Sequence, residues 1–422
     1  MTDQTPPANE AAARRRALQA RAFTLTWLGY ASYYLTRKNF SVVKNRLHEE
    51  LGISVGALAG IDTFYLVLYA VGQFLCGGLG DRFGARRMLA FGMFASAAGA
   101  VVFGLSSTWW ILALAFGLNG VFQATGWPNS VKAMTPWLAR RSRGFVMGIW
   151  CTNYQVGGLA ATALATFALV NFGWRAAFFA PAGWVGAVGL IVLLFLIDKP
   201  QDAGLPPLDD NVDVAFAAGP AAPRRSPFMA MIRLPALWIL GGSYFGLKLI
   251  RYSLLFWLPF FLKRSLGYSE GAAGYLSTSF EAGGIVGVVL IGRVADRWFA
   301  KNPMRLVAPV ILALAGSFLM LRVAGPIGMW AVGGSLALIG FLLFGPDALL
   351  SGAVAQNLGR DRAAGSAAGI INGLGSIGGA CQGVVTAYVS QTWGWNALFL
   401  FFVAFAVVSA FALLPLAWRR EF

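Results

Sequence analysis

The chain has 422 residues, 58% of them hydrophobic and only 12% charged, with a mean hydropathy of +0.65 and a formal net charge of +16. Soluble chains carry roughly 25% charged residues, so this composition excludes an ordinary water-soluble fold. The single histidine, His48, and the scattered cysteines Cys76, Cys151 and Cys381 exclude a zinc cluster, a disulfide framework and a bound metal cofactor.

A helix crosses a bilayer with about 20 mostly apolar residues. By that length twelve spans are predicted, near 22–43, 57–79, 88–106, 109–131, 144–169, 175–197, 235–261, 271–292, 306–323, 328–352, 364–388 and 397–417. The first block is long and no small-residue cleavage site follows it, so it reads as an uncleaved span. The lysines and arginines do not form the water-facing stripe that nucleic-acid binding needs. They cluster instead in alternate loops, at Arg14 to Arg16, Arg82 to Arg87, Lys132 to Arg143, Lys199 to Arg233, Arg293 to Arg305, and Arg419 with Arg420. Under the positive-inside rule that asymmetry places both termini in the cytoplasm of a multi-pass protein of the inner (plasma) membrane.

The predicted organisation is a cytoplasmic tail over 1–21, a six-helix bundle over 22–197, a cytoplasmic linker over 198–234 rich in Pro, Ala, Asp and Arg, and a second bundle with a short tail over 235–422. An internal repeat supports the division. Gly144, Gly148, Ile149, Gly157 and Gly158 align with Gly365, Gly369, Ile370, Gly378 and Gly379, and Gly173-Trp174 aligns with Gly394-Trp395. Nearer the start of each half, Tyr30 aligns with Tyr244, Arg37 with Arg251, and Asp81-Arg82 with Asp296-Arg297. Two six-span copies in parallel orientation are the arrangement of transporters that bind cargo near the midplane. The stretch from Gly77 to Arg87, with a degenerate copy at Gly292 to Arg297, resembles the loop signature of the major facilitator superfamily. That resemblance implies an all-α fold of two pseudo-symmetric six-helix bundles, with Asp81, Arg82, Arg86, Asp296 and Arg297 in conformational roles. As a bland alternative, the loop is helix-end charge and membrane anchoring.

Four bases and three acids fall inside the predicted spans: Arg37, Lys38, Lys248 and Arg251 against Asp62, Glu281 and Asp347. Each costs about 2.5–3.5 kcal/mol at a helix centre on insertion scales, which makes each a functional candidate. Tyr30, Tyr34 and Arg37 share one helical face, and Tyr244, Lys248 and Arg251 repeat that stripe. Arg37 and Arg251 lie at matching depth, about 22–24 Å along their spans. A guanidinium fork suits bidentate binding of phosphate or carboxylate, so the two stripes describe a site for a small oxyanion. In the competing reading the bases are consumed in buried ion pairs with the three acids, Glu281 pairing with Lys248 or taking a proton. Tyr154 and Gln155 are expected either to line the site or to pack between helices, and Gln123 and Asp347 are weaker candidates that could instead satisfy broken backbone near Pro128 and Pro346.

Several motifs together carry a closer resemblance. They are Leu28 to Phe40, Gly126-Trp127-Pro128, Arg143 to Gly158, and Asp198-Lys199-Pro200-Gln201-Asp202-Ala203-Gly204-Leu205-Pro206-Pro207. The chain resembles the organophosphate:inorganic phosphate antiporter family, which includes glycerol-3-phosphate and hexose-phosphate transporters. The resemblance implies phosphate binding by Arg37 and Arg251 with Lys38 beside them. Cys151, Tyr154 and Gln155 stand where the family's span-five motif usually has Asn, His and Asn; Gln73 replaces a lysine usual in bacterial members, and Phe256 an acidic residue. Asp62, Glu281 and Gly375 to Gly379 look more like the eukaryotic sugar-phosphate exchanger branch.

The expected function is therefore exchange of a small phosphorylated organic anion for inorganic phosphate by alternating access. The protein is expected to be a monomer in the lipid bilayer with no nucleic-acid partner, no cofactor and no enzymatic activity. Phosphate esters carry about −1.5 to −2 near neutral pH, so one cargo nearly cancels two arginines. The alternatives are a proton-coupled organic-anion symporter, with Glu281 or Asp62 carrying the proton, and a non-transporting sugar-phosphate sensor.

Overall fold

The structure, a computed structural model, describes residues 8–138, 146–147, 149–206, 208, 233–299 and 301–418; within helices, the side chains of 8–9, 11, 74–75, 77–78, 81, 352–353 and 355–369 fall outside the description. Of the predicted linker, 207 and 209–232 lie outside the described residues, as does most of the arginine-rich loop over 139–145.

The described residues form helices and turns with no strand. The first half holds α1 (Ala8–Tyr33), α2 (Leu35–Leu51), α3 (Val55–Phe83), α4 (Ala85–Leu105), α5 (Trp109–Gln123), α6 (Gly126–Met134), α7 (Asn153–Phe172) and α8 (Ala176–Phe195). The second holds α9 (Pro235–Leu266), α10 (Glu270–Trp298), α11 (Met304–Ile327), α12 (Met329–Leu349), α13 (Ala355–Thr392) and α14 (Gly394–Ala417).

Among the described residues nine helices are long and apolar enough to cross a membrane. The other predicted blocks fall short of that standard for visible reasons. The first is broken at Tyr34 and carries Arg37 and Lys38, and the fourth is split between α5 and α6 at Ala124-Thr125. The eleventh lies in α13, much of whose first part is outside the described side chains. Large apolar side chains stand exposed along these helices, among them Phe172, Ile327, Trp330, Val408 and Phe411. A water-soluble protein rarely leaves so much apolar surface uncovered; hydrocarbon is the solvent it fits.

By contacts the described residues group into two compact units, one drawn from Met1–Arg37, Val67–Ala161 and Arg175–Ala222, the other from Lys38–Leu66, Thr162–Trp174 and Pro223–Phe422. The grouping follows the sequence halves except that 38–66 and 162–174 join the second unit. The first unit packs α4 against α8 and α5, around a core that includes Tyr33, Met93, Trp137, Trp150 and Val185. The second packs α10 on α12, α9 on α13, and α11 on α14, around Leu237, Leu240, Phe261, Leu314, Phe318 and Phe402.

Local chemistry sets the helix ends. Pro235 opens α9, where a missing N–H costs nothing, and Ser269 caps α10 by accepting a hydrogen bond from the Ala272 N–H at 3.2 Å. The Arg175 guanidinium closes the end of α4, donating to the carbonyls of Gly104 and Ser106 at 3.0 and 3.3 Å. The repeat survives in backbone detail. Gly173 and Gly394, equivalent in sequence, turn the chain between successive helices with φ of 83° and 82°, a region side chains disfavour. Gly157 and Gly378 are a second equivalent pair. A Cβ on Gly157 would stand 2.6 Å from the carbonyl oxygen of Ala31, and one on Gly378 would collide with the carbonyl oxygen of Phe245. Each half thus brings its first and fifth spans together at a missing side chain.

Forcing a methyl group into such a contact costs about 1–3 kcal/mol. Gly157→Ala and Gly378→Ala are each expected to lower the melting temperature of the detergent-solubilised protein by several degrees. Gly242→Ala, where nothing lies within 4 Å of the new atom, should leave it unchanged in the same thermal scan.

Candidate functional site

In the first unit the polar residues converge on Arg37. Its helix is interrupted just before it: Tyr34 lies between α1 and α2, and the backbone closes with tight hydrogen bonds from Tyr34 N–H to Ala31 O and from Arg37 N–H to Tyr34 O, both 3.1 Å. A short tightened turn inside a helix often marks a functional position. The Arg37 side chain is 4% exposed. Its Nε donates to Gln123 Oε1 at 2.8 Å, and its guanidinium carbon lies 4.7 Å from the centre of the Tyr34 ring and 4.8 Å from that of Tyr69. Gln123 is itself held, donating to Thr36 Oγ1 at 3.0 Å and Asn119 Oδ1 at 3.3 Å, while Asn119 donates to the Thr36 carbonyl at 2.8 Å. Gln123 and the faces of Tyr34 and Tyr69 together orient the guanidinium.

Tyr30 joins this group through its ring, 6.1 Å from Tyr34, 5.5 Å from Trp127 and 5.7 Å from Trp150. Behind it, Trp27 Nε1 donates to Thr152 Oγ1 at 3.1 Å and Trp150 Nε1 to Thr26 Oγ1 at 3.0 Å, a reciprocal clasp of the two chain segments. Gln155 is buried and its Nε2 has no hydrogen-bond partner among the described residues, whereas Tyr154 is half-buried against the unit's apolar core. Sequence reasoning did not single out Tyr69, Trp127 and Trp150 beside Arg37 and Tyr30, because aromatic residues in apolar spans give no periodic signal; Gln123, named there as a weaker candidate, is bonded to Arg37.

In the second unit the equivalent stripe is present, with an addition. Lys248 Nζ lies 5.2 Å from the Tyr244 ring centre and 5.6 Å from that of Tyr252. Arg251 lies 4.4 Å over the Phe344 ring and its Nη1 donates to Asp347 Oδ2 at 2.6 Å, while Lys248 Nζ stands 3.6 Å from Asp347 Oδ1. One carboxylate therefore serves two cations. Arg251 thus has a carboxylate partner of the kind the competing, ion-paired reading names. Asp347 follows Pro346, and immediately beyond it α12 gives way to a π-helical turn, Leu350–Val354.

The remaining acids have partners as well. Glu281 pairs with Lys38 at 2.7 Å, and Lys38 also donates to the Leu255 carbonyl at 2.9 Å. The expected Glu281 partner, Lys248, is thus replaced by Lys38, because Lys248 is drawn to Asp347. Asp62 pairs with Lys44, both fully buried, beneath the Trp257 ring whose centre lies 3.7 Å from Lys44 Nζ. Lys44 lies just past the end of the first predicted span, but α2 continues to Leu51 and packs it in the core.

The sequence profile of the Major Facilitator Superfamily matches residues 26–382. The chain belongs to the major facilitator superfamily. It is 30% identical to sugar phosphate exchanger 3 of Gallus gallus, over 94% of this chain and 92% of that protein. It is 29% identical to the glucose-6-phosphate exchanger SLC37A2 of Mus musculus, over 94% and 91%. It is 30% identical to a probable hexose phosphate transport protein of Chlamydia trachomatis, over 95% and 91%. These relatives set it in the organophosphate:inorganic phosphate antiporter family, as a multi-pass transport protein and not an enzyme. A bacterial homologue of the human lysosomal transporter Spinster, solved in an inward-facing, occupied conformation, shares the fold, with a TM-score of 0.68 over 94% of each chain at 15% identity.

The facilitator loop signature is less engaged than the central residues. Arg82, Asp296 and Arg297 are exposed, and Arg86 is half-buried with its backbone N–H donating to Asp198 Oδ1 at 2.7 Å. The Asp81 side chain falls outside the described ones. Lys132 Nζ reaches back to the Gly80 carbonyl at 2.8 Å. At the far end of the first span from the N-terminal tail, Arg46 and Lys263 both bind Glu270, at 2.6 and 3.1 Å, and Lys263 binds Glu49 at 2.8 Å.

The hydrogen bond from Lys263 holds the Glu49 carboxyl below the ordinary glutamate range. A depressed carboxyl contributes its stability above the ordinary glutamate pKa and loses it as pH falls through the lowered value. Acid titration is therefore expected to lower the melting temperature less steeply in Glu49→Gln than in the wild type. At the Lys44–Asp62 pair, removing one partner strands a buried charge at a cost of about 3–5 kcal/mol, while replacing both by apolar groups is often neutral. Lys44→Met and Asp62→Leu are each expected to reduce folded yield and melting temperature sharply, and the double variant to recover most of both.

Proposed function

We propose that the chain exchanges a sugar phosphate, or a related monoester such as glycerol 3-phosphate, for inorganic phosphate across the cell membrane. In this reading Arg37 and Arg251 take the phosphoryl oxygens. Tyr30, Tyr34, Lys38, Lys248, Tyr154 and Gln155 surround the cargo or orient the groups that do. The observation that carries the reading is the guanidinium of Arg37, buried in an apolar span yet fixed in plane by Gln123 and by the faces of Tyr34 and Tyr69. A cation kept in low dielectric at such cost, with its guanidinium oriented by an amide and two ring faces, suits an anion that comes and goes. The names of the relatives, exchangers of sugar phosphate and of glucose 6-phosphate, support the same class of cargo.

Coupling follows from charge. A phosphate dianion offsets the positive charge of Arg37 and the net positive charge of the Arg251, Lys248 and Asp347 cluster, so cargo favours states of the carrier that the empty protein disfavours. Exchange then outpaces net efflux, since return without cargo is slow. The distribution of basic residues supports placing both termini on the cytoplasmic side.

Liposomes containing the purified protein and preloaded with radiolabelled phosphate test the proposal. Glucose 6-phosphate or glycerol 3-phosphate outside is expected to release label, and buffer alone to release little. Arg37→Lys and Arg251→Lys keep the charge but lose the fork, and each should slow release by about tenfold, equivalent to about 1.4 kcal/mol. Efflux into phosphate-free buffer as fast as exchange would refute the coupling.

A further inference from the structure

We propose that Asp347 is an internal counter-anion that the phosphoryl group of the cargo displaces from Arg251, with Lys248 retaining the carboxylate when Arg251 leaves it. The inference rests on the reading that Arg251 binds phosphate.

Three observations carry it. The first is the sharing of one carboxylate. Asp347 Oδ2 takes Arg251 Nη1 at 2.6 Å, while Oδ1 faces Lys248 Nζ at 3.6 Å, longer than a good ionic hydrogen bond, and has no hydrogen-bond partner among the described residues. A buried carboxylate deprived of its only cation would be stranded at high cost. With Lys248 already adjacent, a shift of Asp347 toward that ammonium satisfies Oδ1 and frees the guanidinium.

The second is access. The side chain of Asp347 is 7% exposed, against 11% for Arg251 and 16% for Lys248. The carboxylate is the least exposed of the three groups, and both cations offer more accessible surface than it does. The third is the backbone. Asp347 sits between Pro346, which donates no hydrogen bond, and the π-helical turn Leu350–Val354, and Ser351 Oγ donates to the Asp347 carbonyl at 2.7 Å. The helical ladder is irregular at this position, as π turns often are at functional sites, and a hydroxyl helps satisfy the Asp347 carbonyl there.

The charge consequence is specific. Arg251, Lys248 and Asp347 together carry a single positive charge, whereas the same cluster without the carboxylate carries two. Asp347 therefore sets how strongly this half of the transporter attracts its anion, weakening binding enough to permit release. Lys248 acts through Asp347 and is a positioning residue in this scheme.

Binding of inorganic phosphate to the full-length protein in detergent, measured by calorimetry, tests the proposal. Asp347→Asn is expected to bind phosphate about tenfold more tightly than the wild type, equivalent to about 1.4 kcal/mol, and Asp347→Glu to bind like the wild type. Lys248→Gln should weaken binding in the wild-type background, where Asp347 is then confined to Arg251, and weaken it much less in the Asp347→Asn background. Equal losses in both backgrounds would make Lys248 a direct ligand and overturn the hand-over. A folded Asp347→Asn variant with unchanged or weaker affinity overturns the proposal while leaving phosphate transport standing. Absence of phosphate binding in the wild type removes the transport reading and the proposal with it. If Asp347→Asn does not fold, phosphate-minus-buffer infrared difference spectra of the wild type decide: a shifted carboxylate band supports release of Arg251, and a spectrum without one overturns it.

Discussion

A positive charge inside hydrocarbon must be answered, and the way each is answered orders this protein. Born costs leave few solutions: a carboxylate, a set of aligned dipoles, or a ligand. The chain uses the first for Lys38, Lys44 and Lys248, each beside an acid, and the second at Arg37, where an amide oxygen and two ring faces orient the guanidinium. Arg251 combines a carboxylate with an aromatic face. The two pseudo-symmetric arginines are therefore unequal. One is oriented by an amide oxygen and two ring faces and the other by a carboxylate and a ring face, although the sequence repeat makes them counterparts.

Backbone irregularity tracks this chemistry. The first span tightens at Tyr34, next to Arg37; the fourth breaks at Ala124-Thr125, next to Gln123; the fifth turns at Cys151-Thr152, before Tyr154 and Gln155; the tenth widens into a π turn after Asp347. In lipid an unsatisfied peptide group is costly, so broken helices persist only where side chains or a polar interior re-satisfy them. Thr36, Thr125, Thr152 and Ser351 supply such hydroxyls here, each donating to a carbonyl three or four residues back.

Much of this was legible beforehand, because span length, charge asymmetry and repeat spacing are properties of a linear pattern. Hydropathy marks where a helix crosses but is blind to a turn within it, so the first and fourth blocks read as continuous. The stripe Tyr30, Tyr34, Arg37 was visible from helical phase, as was its partner on α9. Partner choice was not: Glu281 pairs with Lys38 and not with Lys248, because phase places a side chain on its own helix without saying which helix it meets. The engagement of Arg251 by Asp347 depends on two helices about 100 residues apart in sequence, and no local pattern encodes it. Tyr69, Trp127 and Trp150 escaped for a different reason. In a chain this rich in aromatic residues, a ring that supports a site is indistinguishable from one that faces lipid until its neighbours are known.

The reciprocal tryptophan–threonine clasp has a mechanical meaning. Trp27 and Thr26 lie less than three turns before the irregularity at Tyr34, and Thr152 and Trp150 flank the one that precedes α7. Moving one of these segments apart from the other would break two indole hydrogen bonds. Rearranging the first span around its arginine independently of the fifth therefore carries that cost, which resides in two hydroxyl groups.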